Sequence, residues 1–399
     1  MDEIYSPVDV EKRYFLGSAT FDLDYVLFSI LIIFYGFGIV MVFSASINEG
    51  IKLNNDFYFL KRQIFWTILS LISCLFFMFA DYRIFERYQR LMVWGIIVLL
   101  FALLMPPLMH MGIVHRSRRW LKFGRIGFQP SEFAKLVVIF YLASVLSKKG
   151  EKIKDFYRGF LPPFIVVSVI AMLVFLEPDF STAFILVLVS ILMFYVAGVR
   201  TLSLVSLVFV SIPTLLLMIN GKGYRKERII GFLNPWSDPT DKGYQVIQSF
   251  KAFAYGGVFG RGLGRSIQKL RYLPIPHTDF IYPIIAEELG FFGAIFVILL
   301  YMLFAYRGFS IALRQKNSYE YLIGFGITSL IVWEAILNIA VVTGLLPSTG
   351  ISLPFLSYGG SGLLVNSILT GILLNLSRNN YRNSYYESSV QKRDEVVEL

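Results

Sequence analysis

Runs of about twenty apolar residues recur along almost the whole chain, and a run of that length is what crosses the hydrocarbon core of a bilayer as a helix. Ten such runs are legible, at 24–46, 62–80, 91–109, 132–147, 161–177, 182–199, 201–219, 281–305, 321–343 and 354–376. Phe, Ile, Val and Leu are mixed on every face of many of them, as lipid-exposed helices require. The 132–147 run is short and opens on Glu132 and Lys135, and 182–219 is one long run broken only at Gly198-Val199-Arg200, read as a tight turn. Composition agrees: 56% of the 399 residues are hydrophobic and 16% charged, against roughly 45–50% and 25% in soluble domains. A disordered chain is excluded by the apolar content. A disulfide scaffold is excluded by the single cysteine, Cys74. The expected fold is all-α, a polytopic bundle of about ten transmembrane helices. A polar segment, 1–23, precedes the bundle at 24–378, and a polar, charged and mobile tail, 379–399, follows it.

Lys and Arg near the span ends set orientation. With the N-terminus in the cytoplasm, cytoplasmic segments hold 18 of the 37 basic residues and short outer loops hold 8. Both termini are therefore placed inside, and a long outer loop, 220–280, connects spans 7 and 8. Five of the outer basic residues crowd into 116–125, and the long loop is basic as well. Such a surface fits an anionic ligand or anionic lipid headgroups, and charge alone leaves both open.

Four segments carry the residues from which chemistry is made. The first is His115-Arg116-Ser117-Arg118-Arg119-Trp120, followed by Gln129-Pro130-Ser131-Glu132-Phe133-Ala134-Lys135. Guanidinium forks match phosphate oxygens, and an indole suits an interface or a sugar face. Pro130 and Ser131 mark a helix start, with Ser131 as the expected N-cap. Glu132 and Lys135 then share a helical face, either as an internal ion pair or as functional intramembrane charges. The second is Glu177-Pro178-Asp179, whose carboxylates would pair with the arginine cluster or hold a metal.

The third is the 220–280 loop, long enough to imply function. It contains Tyr224-Arg225-Lys226-Glu227-Arg228, Pro235-Trp236, Gly243-Tyr244-Gln245, a glycine series from Gly256 to Gly264, and His277-Thr278-Asp279-Phe280. Asp279 stands just before a span. It either caps that helix or, half-desolvated, serves as a general base beside His277. Glu287 and Glu288 are further carboxylate candidates. The fourth runs from Gly344 through Pro347-Ser348-Thr349-Gly350 to Pro354 and Ser357-Tyr358-Gly359-Gly360-Ser361. Gly, Pro and Ser there suggest an interrupted helix lining a cavity, or close helix packing through small residues.

Taken in this order, these segments resemble the SEDS family (shape, elongation, division and sporulation), which contains FtsW and RodA. Gly264-Arg265-Ser266-Ile267-Gln268-Lys269-Leu270 and Gly371-Ile372-Leu373-Leu374-Asn375-Leu376 look closer to FtsW. The resemblance implies a ten-span polymerase of the bacterial cytoplasmic membrane. It would build peptidoglycan glycan strands from lipid II by inverting transfer, releasing undecaprenyl pyrophosphate, at the division septum. It makes Asp279 the general base. Arg118, Arg119, Lys135 and Arg225 would face the pyrophosphate, and Trp120, Glu132, Asp179, His277, Thr278 and Ser357 would complete the substrate site. No dedicated metal cage is expected, although a divalent cation (Mg or Mn) could share the charge. The implied partners are a class B penicillin-binding protein transpeptidase and other division or elongation proteins, with no nucleic acid. A RodA-type elongation polymerase, a lipid II flippase and a non-enzymatic transpeptidase scaffold are the competing readings.

Overall fold

The computed structural model describes residues 23–105, 119–123, 126–205, 231–239, 243–270, 272–273 and 275–397. Within them the chain is a multi-pass helical bundle. The helices are α1 (Tyr25–Lys52), α2 (Tyr58–Phe79), α3 (Arg83–Leu104), α4 (Pro130–Lys149), α5 (Leu161–Leu176), α6 (Phe180–Val196), α7 (Tyr244–Gly256), α8 (Ile281–Leu313), α9 (Ser318–Val342) and α10 (Gly360–Val397). A small antiparallel hairpin, β1 (Leu121–Phe123) and β2 (Ile126–Phe128), pairs Leu121 with Phe128 between α3 and α4.

Eight helices among the described residues are long and apolar enough to cross a membrane, and α6, at 17 residues, is a shorter apolar one. They correspond to nine of the ten expected spans. The tenth run, 201–219, lies outside the described residues beyond 205. Several boundaries move: the first span runs on to Lys52 and the 281–305 span to Leu313. The third span begins at Arg83, earlier than expected, and the last begins only at Gly360, because 351–359 is not helical. α10 continues as helix through the polar tail to Val397.

Packing follows membrane logic. Apolar side chains such as Leu91, Trp94, Val98 and Phe101 of α3 are exposed, facing lipid, whereas polar side chains turn inward. α10 packs most extensively on α2. Gly371 makes this possible, because a Cβ there would collide with the backbone of Cys74. At the end of the bundle remote from Asp279, Asp24 joins three helices. It caps α1 through the Leu27 amide (2.9 Å), receives Arg307 of α8 in a bidentate pair (2.5 and 3.0 Å to Oδ2), and its own amide donates to Ser377 of α10 (3.2 Å).

α8 is two helices in one. Gly290 has φ 69° and ψ −163°, which breaks the helical hydrogen-bond ladder. The carbonyls of Glu287 and Glu288 accept instead from Arg261 (3.0 Å) and Gly262 (2.9 Å), and the Phe291 amide donates to Gly257 (2.9 Å). The 257–262 strand of loop thus replaces the missing turn. Gly256 and Gly260 are glycine for this reason: a Cβ on either would enter the carbonyls of Ala286 or Glu288.

Candidate active site

A closed circuit of contacts surrounds Asp279, drawn from five separate parts of the chain. The carbonyl of Asp279 accepts from Asn338 Nδ2 of α9 (2.9 Å), which also donates to the Ile351 carbonyl (2.6 Å). One turn back along α9, Glu334 accepts from Lys135 Nζ of α4 (2.5 Å) and from Asn366 of α10 (3.2 Å). Lys135 also meets Glu132 (2.7 Å). A Cβ on Gly362 would stand 3.1 Å from Glu132 Oε2, so the first turn of α10 lies against that carboxylate. Beside Gly362, Ser361 Oγ accepts from the Gln129 amide (3.1 Å). Gln129 Nε2 and Ser131 Oγ each donate to Asp179 Oδ2 (3.0 Å). Asp179 caps α6 through the Thr182 amide (3.4 Å), and Ser181 donates to the Thr349 carbonyl. Gly350 follows, with φ +81°, and its missing Cβ would stand 3.2 Å from Asp279 Oδ2. The circuit is complete.

The non-helical stretch 344–359 forms one wall. Backbone buried in a membrane bundle needs partners, and side chains from elsewhere supply many of them. Besides Ser181 and Asn338, Tyr301 donates to the Pro354 carbonyl, Ser357 Oγ accepts from the Leu353 amide (2.8 Å), and the Tyr358 amide donates to the His277 carbonyl (2.8 Å). Phe355 is seated by Phe34, 5.4 Å away between ring centroids, and by Phe304 at 6.2 Å. The stretch is non-helical ahead of α10, and small residues pack closely around it, Gly38 against the Phe355 carbonyl and Gly360 against the Trp66 ring.

Helix starts converge on the same space. The N-terminal turns of α4, α6 and α10 are joined through Gln129, Asp179 and Ser361, and α8 begins two residues after Asp279. Each such turn presents amide N–H groups and the positive end of a helix dipole, which favours an anion.

The expected site residues divide into three groups. Glu132, Lys135 and Asp179 lie in the circuit with Asp279. Arg119 and Trp120 stand at its edge: Arg119 donates to the carbonyls of Glu177 (Nε, 3.2 Å) and Pro178, closing the C-terminus of α5, and Trp120 covers Gly127 of β2. His277, Thr278 and Ser357 act on the backbone around Asp279. Thr278 Oγ1 donates to the Ile275 carbonyl (3.0 Å). The His277 ring is buried against Phe59 (4.5 Å) and Tyr358 (5.5 Å). Its Nδ1 has no hydrogen-bond partner, and burial pushes its pKa down to about 4. It is a neutral wedge at pH 7. Arg118 and Arg225 lie outside the described residues.

Three expectations are corrected. Ser131 does not cap α4; Gln129 is the N-cap, Pro130 is the first helical residue, and the Ser131 hydroxyl is committed to Asp179. Asp279 does not cap α8, where Phe280 holds the N-cap position with no side-chain bond. Glu287 and Glu288 bond residues 266–269 and Ser44, outside the circuit. The sequence reading also missed Glu334 and Asn338. The available signal was a carboxylate and an amide one turn apart inside an apolar span.

Glu177 is fully buried with both carboxylate oxygens unpartnered, and burial and the nearby Asp179 push its pKa up to about 9. Among the described residues no group of three or more His, Cys, Asp or Glu is placed to hold a metal. Glu177 and Asp179 do not make a cation cage either. Glu177 lies beside the Arg119 guanidinium, and Asp179 is engaged by Ser131, Gln129 and Thr182.

Comparison with known proteins places this geometry. Residues 24–382 match the FTSW_RODA_SPOVE family, described as "Cell cycle protein". The "Probable peptidoglycan glycosyltransferase FtsW" of Geobacter sulfurreducens is 39% identical over 355 residues, 89% of this chain and 95% of that protein. "Stage V sporulation protein E" of Bacillus subtilis is 40% identical over 357 residues, 89% and 97% of the two chains. A chain solved in work titled "Structural coordination of polymerization and crosslinking by a peptidoglycan synthase complex" superposes with a TM-score of 0.74 at 26% identity, covering 90% of this chain and 98% of that one. The rod shape determining protein RodA of Thermus thermophilus shares the fold, with a TM-score of 0.66 at 23% identity over 90% of this chain and 98% of that one. With the family match running from the first span to past the last, the chain belongs to the FtsW, RodA and SpoVE family of cell cycle proteins.

Proposed function

We propose that this protein is a peptidoglycan glycosyltransferase that polymerises lipid II at the outer face of the bacterial cytoplasmic membrane, with both termini inside. The observation that carries the reading is the seat of Asp279. Its carboxylate faces the Gly350 wall while its carbonyl is clamped by Asn338, at a place where several helix N-termini converge. A base needs a fixed position and a partly desolvated carboxylate, and a pyrophosphate leaving group needs positive potential.

In this reading Asp279 takes the proton of the acceptor GlcNAc 4-hydroxyl. The oxygen attacks the anomeric carbon of the donor from the face opposite the leaving group. The bond from that carbon to the pyrophosphate oxygen breaks with inversion, and undecaprenyl pyrophosphate departs with the electron pair. Amides of the helix starts receive its charge, joined by Arg118 and Arg225. Lys135 holds α4 to α9 between Glu132 and Glu334, and its charge is taken up by these two carboxylates.

The FtsW relatives support a division role at the septum, and the solved synthase complex supports a class B penicillin-binding protein transpeptidase as partner. The test uses purified protein with that partner, fluorescent lipid II, and moenomycin to silence classical glycosyltransferases. Glycan strands from wild type and none from a well-folded Asp279→Asn protein are expected. Equal polymer from both would remove Asp279 as base. No polymer from either, with the complex intact, would point to transport or scaffolding.

A further inference from the structure

Asp279 lies within a loop that two buried glutamates close at its base. The Glu287 carboxylate accepts from the Ile267 amide (2.7 Å), the Gln268 amide (3.2 Å) and the Ser266 hydroxyl. Glu288 pairs with Lys269 (2.7 Å) and accepts from Ser44 of α1 (2.7 Å) and the Ser266 amide (3.4 Å). Lys269 Nζ also donates to Ser44 (3.0 Å), and Asn48 of α1 donates to the Lys269 carbonyl (2.6 Å). Both glutamates are 0% exposed. Four consecutive residues, 266–269, are thus gathered onto one turn of the half-helix 281–289, and the chain between these two points carries Asp279.

The arrangement is more than satisfied polarity. Because α8 breaks at Gly290, the half-helix is not held in line by a continuous helical ladder, and one side-chain bond, Tyr282 OH to the Ala294 carbonyl (3.3 Å), spans the break. Its position is set by what it bonds, namely the 257–262 backbone, the 266–269 segment and, through Ser44 and Asn48, α1. The half-helix carries Asp279 at one end and the two glutamates at the other. Closing a loop of about twenty residues removes freedom that would otherwise be spread over every residue in it.

We propose that Glu287 and Glu288 are positioning residues that fix the Asp279 carboxylate against the Gly350 wall by clipping its loop shut. The inference rests on the reading of Asp279 as the base. Neither glutamate is in the circuit of contacts around Asp279, so loosening the clip alters where the base stands rather than what binds. A displacement of about 1 Å is enough for a loss of order a hundredfold in a step that depends on alignment.

The experiment compares wild type, Glu287→Ala, Glu287→Gln and Asp279→Asn, each with the partner transpeptidase. Lipid II turnover is read alongside amide hydrogen exchange. For Glu287→Ala we expect turnover to fall at least tenfold with KM within about threefold. Exchange over 266–280 should accelerate, while α9 and α10 stay protected. Glu287→Gln keeps one acceptor oxygen and should recover part of both losses. Accelerated exchange with normal turnover would overturn the proposal, as would unchanged exchange. If Glu287→Ala cannot be recovered folded, Ser266→Ala and Lys269→Met open the clip from the loop side and carry the same expectations. Failure of the base reading shows separately, as normal turnover by Asp279→Asn.

Discussion

The Asp279 carboxylate stands where a side chain on Gly350 would point: a Cβ added to Gly350 would lie 3.2 Å from Asp279 Oδ2, and Gly350 holds φ +81°. Gly350→Ala therefore has two consequences. The left-handed conformation costs about 1–2 kcal/mol for an L side chain, and the new methyl presses on the carboxylate. We expect turnover of lipid II to fall at least tenfold while the thermal midpoint drops by only a few degrees. Wild-type turnover would mean the carboxylate does not work from this seat.

The buried pair Lys135 and Glu334 fastens α4 to α9 at 2.5 Å, with Glu132 as a second acceptor at 2.7 Å. Lys135→Met would leave two carboxylates facing each other without their cation. Breaking a buried pair in this way costs about 3–5 kcal/mol. The thermal midpoint in detergent should fall sharply, and Glu334→Gln added to Lys135→Met should restore part of it. An unchanged midpoint would show that the triad does not hold these helices together.

The two groups shifted by burial near the site give a pH signature. Glu177 rises from 4.5 to about 9 and His277 falls from 6.5 to about 4. Between pH 4.5 and 9 the folded state binds the Glu177 proton more tightly than the unfolded state, so stability declines as pH rises through that window. Between pH 6.5 and 4 the unfolded state takes up the His277 proton first, so stability declines as pH falls. Above pH 6.5 only Glu177 acts. Glu177→Gln should flatten the decline in thermal midpoint from pH 6.5 to 9 and expose the His277 limb between pH 6.5 and 4.5, where the two opposite slopes cancel in the wild type. A decline that persists in that variant assigns it to other groups.

Cys74 is the sole cysteine and is fully buried where α2 meets α10. A maleimide should label it slowly in the folded protein. Gly371→Val inserts atoms into the backbone of Cys74 and should raise the labelling rate at least tenfold. Slow labelling of a folded Gly371→Val protein would show that this contact tolerates separation.

Which of these features can be read in advance depends on their range. The spans are local, because a helix in lipid satisfies its own backbone and its apolar run is continuous in sequence. Asp279, Asp179, Glu132 and Lys135 stand out as charges at or inside those runs. Glu334 stands inside a run in the same way, but its cation lies 199 residues away and nothing beside it in sequence explains the charge. The same distance effect hides how Arg119 is held. A guanidinium in a basic loop looks like a phosphate ligand, yet its bonds go to two carbonyls 58 and 59 residues further on. The Ser131 expectation failed by position, since Pro130 already holds the first helical place and Ser131 lies inside the first turn, past the cap.

The break at Gly290 also bears on how the protein enters the membrane. Residues 291–313 extend about 35 Å at 1.5 Å per residue, longer than a hydrocarbon core of about 30 Å. Phe291, Phe292, Leu299 and Met302 face outward on this half, whereas Ile281 to Glu288 are buried by protein. The translocation machinery can therefore commit the second half to lipid on its own merits, without weighing the two carboxylates before it. A defect confined to the half-helix that carries Asp279 should therefore yield an inserted but inactive protein rather than a degraded one.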